Sequence, residues 1–347
     1  MSSSDLLSLY NNVLGSKFQL TDPGLHECLE HFIASSMDFG QLYGYLRHMQ
    51  RPDFEFAIDD IEERHRRDEA LRRDIVHGTY ISNADVPPRR VWDLFSNRVL
   101  PFYVIPQSRT EPQGSPIPES LWTVSHSWVG TRARRAVWTS INGKQWPVPV
   151  PKGTTLDHVR VELLNLGAEY VWLDVLCLRQ HGNEQDEALW VEEWKLDVPT
   201  IGYIYSIPRK PCITYFNGLG LPFDSRPETR ASDCHWLHRV WTVQEATTSW
   251  LPGGATSKMS RDAAYFFREV LPNAIPASSI YPISIAVTAV QQRSCTTPLD
   301  RVHGLAYVLN CSTLPIYDED IMSGQERFKD VTVVYISEDE VQNKVLE

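Results

Sequence analysis

Tyr170-Val171-Trp172-Leu173-Asp174-Val175-Leu176-Cys177-Leu178 is a near-continuous apolar run broken by one charge, Asp174. A run of this kind, with no alternation of polar and apolar positions, is the pattern of a central parallel strand covered on both faces. Upstream, Leu121-Trp122-Thr123-Val124-Ser125-His126-Ser127-Trp128 alternates and is rich in β-formers, so it reads as a second strand. Downstream, Cys212-Ile213-Thr214-Tyr215-Phe216 reads as a third. Helical patterns lie between them, from Thr155 to Leu166 and from Glu184 to Tyr205, with Pro199 forcing a kink or break in the second. Strands alternating with helices imply βα units, so the expected fold class is α/β: a mostly parallel sheet flanked by helices.

The region before this pattern is different. Residues 5 to about 80 read as helical, with Leu25, Leu29, Phe32, Ile33, Leu42, Leu46 and Met49 at helical spacing. Asp53 to Ile75 is dense in mixed charge, and acids precede bases by three or four positions, which supports a solvated helix. Such a helix is either a docking element or the exposed face of a small bundle. Pro87-Pro88-Arg89-Arg90 breaks the helical region, and 106–119 is rich in Pro, Ser, Gln and Glu, as in a loop. The expected organisation is a small N-terminal helical region over 1–87, a connecting segment over 88–119, an α/β domain over 120–310 and a C-terminal extension over 311–347.

Composition narrows the function classes. A formal net charge of −11 argues against a nucleic-acid surface, which needs clustered Lys and Arg. The six cysteines are scattered and form no C-x-x-C pair, the pattern of buried thiols in a reducing compartment. The N-terminus lacks the basic and apolar regions of a signal peptide, and no apolar run reaches the ~18 residues that span a bilayer. The expectation is a soluble cytoplasmic protein with no membrane or nucleic-acid partner.

Several residues are candidates for chemistry. Asp174, the lone charge at or near the end of a strand, is costly unless paired. It binds a ligand in the crevice outside the strand ends, or it caps the next turn. Ser127, Trp128 and Gly130 end the first strand in a turn that matches no phosphate-binding loop. Cys234 with His238 supplies two potential metal ligands but no second pair, so no metal is assigned. Cys177 with His126 is a possible nucleophile pair, although a buried thiol acting as a small hydrophobe is the preferred reading. Over 234–247 the spacing predicts one helix, capped by Asp233 and followed by Gly253-Gly254. On it His238, Trp241 and Glu245 share a face, with Arg239 on a neighbouring one. Taken alone, Trp241 then reads as core and Glu245 as the partner of an arginine.

Three motifs change that weighting. Trp122-Thr123-Val124-Ser125-His126-Ser127-Trp128 resembles the first motif of the fungal heterokaryon-incompatibility (HET) domain, L-S-Y-x-W-G. Val171 to Gln180 resembles the second, W-I-D-x-x-C-I-N-Q, and Arg239-Val240-Trp241-Thr242-Val243-Gln244-Glu245 the third, R-x-W-T-x-Q-E. Val198 to Tyr205 and Pro298 to Ala306 also look like family segments, so the likeness spans about 120 to 310. Arg179 stands where the family has Asn, and Val129 separates Trp128 from Gly130.

HET domains are regarded as distant relatives of TIR domains, so the resemblance implies a TIR/flavodoxin-like sheet. It implies an effector of self/non-self recognition and programmed cell death that acts through hydrolysis of NAD at the nicotinamide–ribose bond. NAD would be a substrate, and no cofactor is implied. Trp241 and Glu245 match the Trp and Glu of the TIR motif W-C-x-x-E, with Thr242 in place of Cys. Glu245 would be catalytic, and Trp241, Trp128, Asp174, Arg239 and Ser127 would bind substrate. The site would be completed by self-association, and other signalling proteins would dock on the N-terminal helices. The alternative is a self-associating signalling module of the same fold that catalyses nothing.

Overall fold

The computed structural model describes residues 2–106, 117–118, 120–182, 186–206, 211–246, 249–255, 260–274, 283–306, 308–309, 311 and 313–318. Most of the loop expected over 106–119, most of the C-terminal extension and the apolar segment Val331 to Ile336 lie outside them.

Helices α1 (Ser3–Leu14), α2 (Leu25–Ala34), α3 (Phe39–Leu46) and α4 (Ala57–Asp74) build the N-terminal region. Ser2 and Asp38 close capping boxes at the starts of α1 and α3, satisfying amide hydrogens that a helix leaves free. Leu6, Tyr10, Leu25, Leu29, Phe32 and Leu46 form a core of their own. α4 is the solvated helix expected, with Arg64–Asp60 and Arg67–Glu63 pairs one turn apart. It is also anchored, because Arg72 is buried between Asp68 and Asp197.

The short strands β1 (Val76–His77) and β2 (Tyr80–Ile81) join β11 (Leu314–Pro315) in a small antiparallel sheet. β3 (Arg90–Asp93), β4 (Arg98–Pro101), β5 (Leu121–His126), β8 (Tyr170–Trp172), β9 (Cys212–Tyr215) and β10 (Trp250–Pro252) form the main sheet. β6 (Arg134–Val137) and β7 (Val148–Pro151) form a separate hairpin. Between these strands run α5 (Leu156–Asn165), the single turn α6 (Asp174–Cys177), α7 (Glu187–Asp197), α8 (Ile201–Ser206), α9 (Pro227–Arg230) and the short α10 (Thr242–Glu245). A helix over Leu299–Ala306 follows later.

The main sheet is mixed, with strand order β10-β9-β5-β8-β3-β4. The four central and left-hand strands are parallel, while β3 and β4 run antiparallel on the other side. Every residue of β5, β8 and β9 is buried, which explains the apolar runs in the sequence. The hairpin β3–β4 comes from the stretch expected to be a connecting segment. Prolines at 87, 88 and 101 masked two strands of four residues, and β4 tolerates Pro101 because it is an edge strand. Arg47, at the end of α3, reaches Asp93 on β3 at 3.1 Å in a pair shut away from water.

The apolar run 170–178 is not one strand. β8 stops at Trp172, and the chain then turns helically over Asp174–Cys177, with Val175, Leu176 and Cys177 still buried. A buried helical turn and a buried strand carry the same apolar signature, so hydrophobicity did not separate them. Among the described residues no helix is long and apolar enough to cross a membrane.

Candidate functional site

From β5 the chain winds to β8 on one side, then returns to β9 on the other side of β5. Such a reversal leaves a crevice outside the carboxyl end of the strand at which it occurs. That end is Ser125-His126, followed by Ser127, whose amide still bonds to Tyr215 O at 3.1 Å, and by Trp128. Successive strand residues point to opposite faces. Ser125 meets Glu245 and His126 meets Asp174, so the two carboxyl groups flank the end of one strand.

Asp174 accepts three hydrogen bonds: from His126 Nε2 at 2.7 Å, from Trp128 Nε1 at 2.9 Å and from the Val175 amide at 2.6 Å. The other ring nitrogen of His126 lies 3.1 Å from the carbonyl of Ser127. Both nitrogens therefore face acceptors, an arrangement that favours the doubly protonated ring. Burial opposes that charge, but the Asp174 carboxylate outweighs it and raises the His126 pKa above its ordinary value. Burial likewise opposes the charge on Asp174, and His126 with the other donors holds its pKa below the usual value. With no free ring nitrogen, His126 is not a general base for any nucleophile. Asp174 closes the turn after β8 and ties it to the strand end at His126 and Trp128.

Glu245 ends α10 and takes a short hydrogen bond from the Ser125 hydroxyl. Ser125 Oγ in turn accepts from the indole Nε1 of Trp236 at 2.6 Å. Burial pushes the Glu245 carboxyl up to about 7, against the Ser125 hydrogen bond. The negative Asp174 adds to the rise, and the positive His126 and Arg239 oppose it.

The single helix expected over 234–247 is not formed. A 3-10 turn covers Trp236–His238, Arg239 is extended at φ −96 and ψ 136, and helix resumes only at Trp241. The break has a local cause. Thr242 Oγ1 lies 2.7 Å from the carbonyls of both Trp236 and Arg239, which share its one hydroxyl hydrogen, and the His238 and Val240 backbones pair with Ser294. His238 thus does not share a helical face with Trp241 and Glu245, and its Nε2 lies 2.8 Å from Arg230 O. The 3-10 turn is capped by His235, whose Nδ1 accepts from the Leu237 amide, rather than by Asp233. Gly253 and Gly254 follow β10, where Gly254 takes a φ of 67° and its amide bonds to Glu162.

Trp241 is placed away from the Ser125 contact. Its ring stacks on His303 with centroids 6.4 Å apart and also meets Tyr317. Trp128 stacks on His126 at 5.8 Å, and the Arg134 guanidinium lies 5.1 Å from its ring centre. Arg239 is partly buried and, among the described residues, makes a long 3.5 Å side-chain contact with Thr296 Oγ1, while its charge reaches Glu245. Ser127 is 1 % exposed, and its hydroxyl has no partner among the described residues. Cys177 is 1 % exposed, and burial pushes its thiol up to about 12, so it behaves as an apolar side chain. Among the described residues no three His, Cys, Asp or Glu side chains gather as a metal would require.

Three members of this site are absent from the sequence-derived set, Ser125, Trp236 and Arg134, and His126 was considered only as a partner of Cys177, not of Asp174. The alternation of β5 was the available signal for Ser125 and His126, since it sends neighbours to both faces of a strand end. Nothing local marked Trp236 or Arg134.

Comparison with protein-family models, curated proteins and solved structures found no match to this chain.

Proposed function

We propose that the chain is a HET-type, TIR-like effector of self/non-self recognition and programmed cell death that hydrolyses NAD at the nicotinamide–ribose bond. The observation carrying this reading is the Glu245 carboxyl held by Ser125 at the carboxyl end of β5, across from Asp174. Nicotinamide in NAD is already cationic, so it departs as a neutral molecule with the bonding electron pair and needs no general acid. The ribose left behind is oxocarbenium-like. A fixed carboxylate stabilises that charge and holds the ribose hydroxyls. Water adds to C1′ and gives up its proton, leaving ADP-ribose.

The shifted carboxyl suits this role. Glu245 is partly protonated near neutral pH in the free protein. A cationic ring arriving beside it favours the ionised form, so the charge is developed where the reaction uses it. In this reading Trp128, at the strand end, and Arg239, whose charge reaches Glu245, would contact the substrate, and Trp241 supports the helix start from its stack on His303.

The second reading is a self-associating signalling module. It is favoured by the contacts that already occupy His126 and Trp128: both His126 nitrogens face acceptors, and the Trp128 ring lies against His126 and Arg134. The N-terminal helices, held to the sheet by Arg47–Asp93, would then offer the charged outer face of α4 to partners. The deciding assay is nicotinamide release from NAD over a range of protein concentration. Loss of release in Glu245→Gln supports the hydrolase, and unchanged release rejects the assigned mechanism. Cell death that survives Glu245→Gln favours the module.

A further inference from the structure

Pro147, Pro149 and Pro151 stand at every second position along one strand of the β6–β7 hairpin. The ladder explains that spacing. The Lys152 amide donates to Ala133 O at 2.8 Å, so Ala133 and Lys152 are a hydrogen-bonded pair. Bonded pairs recur at every second residue of an antiparallel ladder. The register then makes Arg135 with Val150, and Val137 with Val148, bonded pairs whose backbone groups turn inward. Arg134 with Pro151, and Ala136 with Pro149, are the pairs whose backbone groups turn outward. On β7 those outward positions are proline, which has no N–H to offer, so that edge resists a further strand. On β6 they are Arg134 and Ala136, with N–H and C=O both intact.

β6 is also the accessible strand. Val148, Val150 and Pro151 of β7 are buried, whereas Arg135 and Ala136 of β6 are exposed. Among the described residues β6 pairs only with β7, and the Arg134 and Ala136 backbones bond to no other element. The hairpin is closed along one edge and open along the other.

The charge around the open edge selects what it accepts. No Asp or Glu occurs between residues 120 and 156, in a chain that has 44 of them. Arg132, Arg134, Arg135, Lys144 and Lys152 all fall in this stretch, and among the described residues none of them is in an ion pair with an acid. Cations on an edge strand keep like-charged strands away. Opposite charges across a strand pair attract, so an acidic strand is the one these residues admit. Trp138, at the next outward position and 49 % exposed, adds apolar surface beside them.

We propose that the open edge of β6 is a docking site for an acidic, extended segment of a partner protein, which joins the hairpin as a third strand. Main-chain hydrogen bonds to Arg134 and Ala136 hold the segment, and its carboxylates meet Arg132 and Arg135. Free backbone groups in strand geometry are what distinguish a peptide from other polyanions here, since lipid headgroups and nucleic acids have no strand to add. Arg134 also lies against the Trp128 ring, so a single residue joins the docking edge to the candidate site. The proposal stands apart from the hydrolase reading and holds whether or not NAD is cleaved.

The test is calorimetric titration of the full chain with three peptides: one of alternating Glu and Val, one of alternating Lys and Val, and the acidic peptide N-methylated throughout. The acidic peptide should bind roughly tenfold or more tightly than the other two, because one loses the charge match and the other the main-chain hydrogen bonds. Ala136→Pro closes the β6 edge as Pro149 closes β7 opposite it and spares the inward ladder. It should weaken the acidic peptide by roughly tenfold. Arg132→Gln, at an exposed position, should weaken it severalfold. Equal affinity for the acidic and lysine peptides, or for the plain and N-methylated ones, overturns the proposal and needs no variant to fold. Wild-type affinity in a folded Ala136→Pro overturns the assignment to this edge. A DNA oligonucleotide or a phosphatidylserine vesicle that binds more tightly than the peptide, or a dimer of the chain abolished by Ala136→Pro, overturns the choice of partner.

Discussion

Ser125 gives its only hydroxyl hydrogen to Glu245 while its oxygen accepts the indole hydrogen of Trp236. The direction is imposed, because Trp236 has no other polar role than donor. Ser125 therefore always favours the ionised form of Glu245, and it is the main force holding the carboxyl down to about 7 against burial.

Ser125→Ala should move that balance. With the hydrogen bond gone, the Glu245 pKa rises. If the carboxylate is the active form, wild-type nicotinamide release climbs with pH through about 7. In Ser125→Ala the climb should shift to higher pH, with release down severalfold near pH 7 and recovered near pH 9. A pH–rate profile checks this, and an unmoved limb rejects the assignment. The unpaired Trp236 indole should cost about 1–2 kcal/mol of stability in the same variant.

Glu245→Gln should stabilise the protein in alkaline solution. A carboxyl whose folded pKa is raised stabilises the fold fully below its unfolded value, and that contribution is lost as pH rises through the folded one. For Glu245 the loss runs from 4.5 to about 7 and amounts to at most about 3 kcal/mol. Denaturant melts at pH 5 and pH 8.5 should show the variant gaining on wild type only at the higher pH.

The His126–Asp174 pair predicts two opposite losses. Asp174, with a lowered pKa, stabilises the fold above 3.8 and ceases to as pH falls through its folded value. His126, with a raised pKa, stabilises below 6.5 and ceases to as pH climbs through its folded value. Stability from the pair should peak between those limits. NMR titration should find the His126 midpoint above that of an ordinary histidine, and an unshifted midpoint rejects the pairing. Asp174→Ala leaves that cation buried and should cost about 3–5 kcal/mol.

Thiol chemistry should pass the site by. Cys177 and Cys212 are shut from solvent, with burial pushing both thiols up to about 12. Alkylation of the native protein at pH 7.5, read by mass spectrometry, should leave both unmodified until denaturant is added. Rapid native labelling of Cys177 would restore the case for a cysteine nucleophile.

The sheet was legible where burial wrote itself into composition. The apolar runs around Val124, Val171 and Ile213 became the three central strands, and Thr155 to Leu166 became α5 with Thr155 as its cap. The hairpin Arg90–Pro101 was not legible, because its strands are too short for a period and its prolines signal breaks. The spacing of Trp241 and Glu245 suggested a shared helical face. Competition from Thr242 and Ser294 broke the helix before it, and the two side chains found separate partners in His303 and Ser125. The Thr242 bonds are local, but the partners Ser294, His303 and Ser125 lie more than fifty positions away and leave no mark in a local window.

The antiparallel hairpin that completes the sheet bears on how this protein is handled at the bench. Trp92 pairs with Val171, so a fragment trimmed to begin at residue 120 would strip β8 of its neighbour and bare a fully apolar edge. Unpaired strand edges seek other chains. Filaments or dimers of such a fragment would arise from a surface the intact molecule does not have, and would imitate the assembly expected of a death effector.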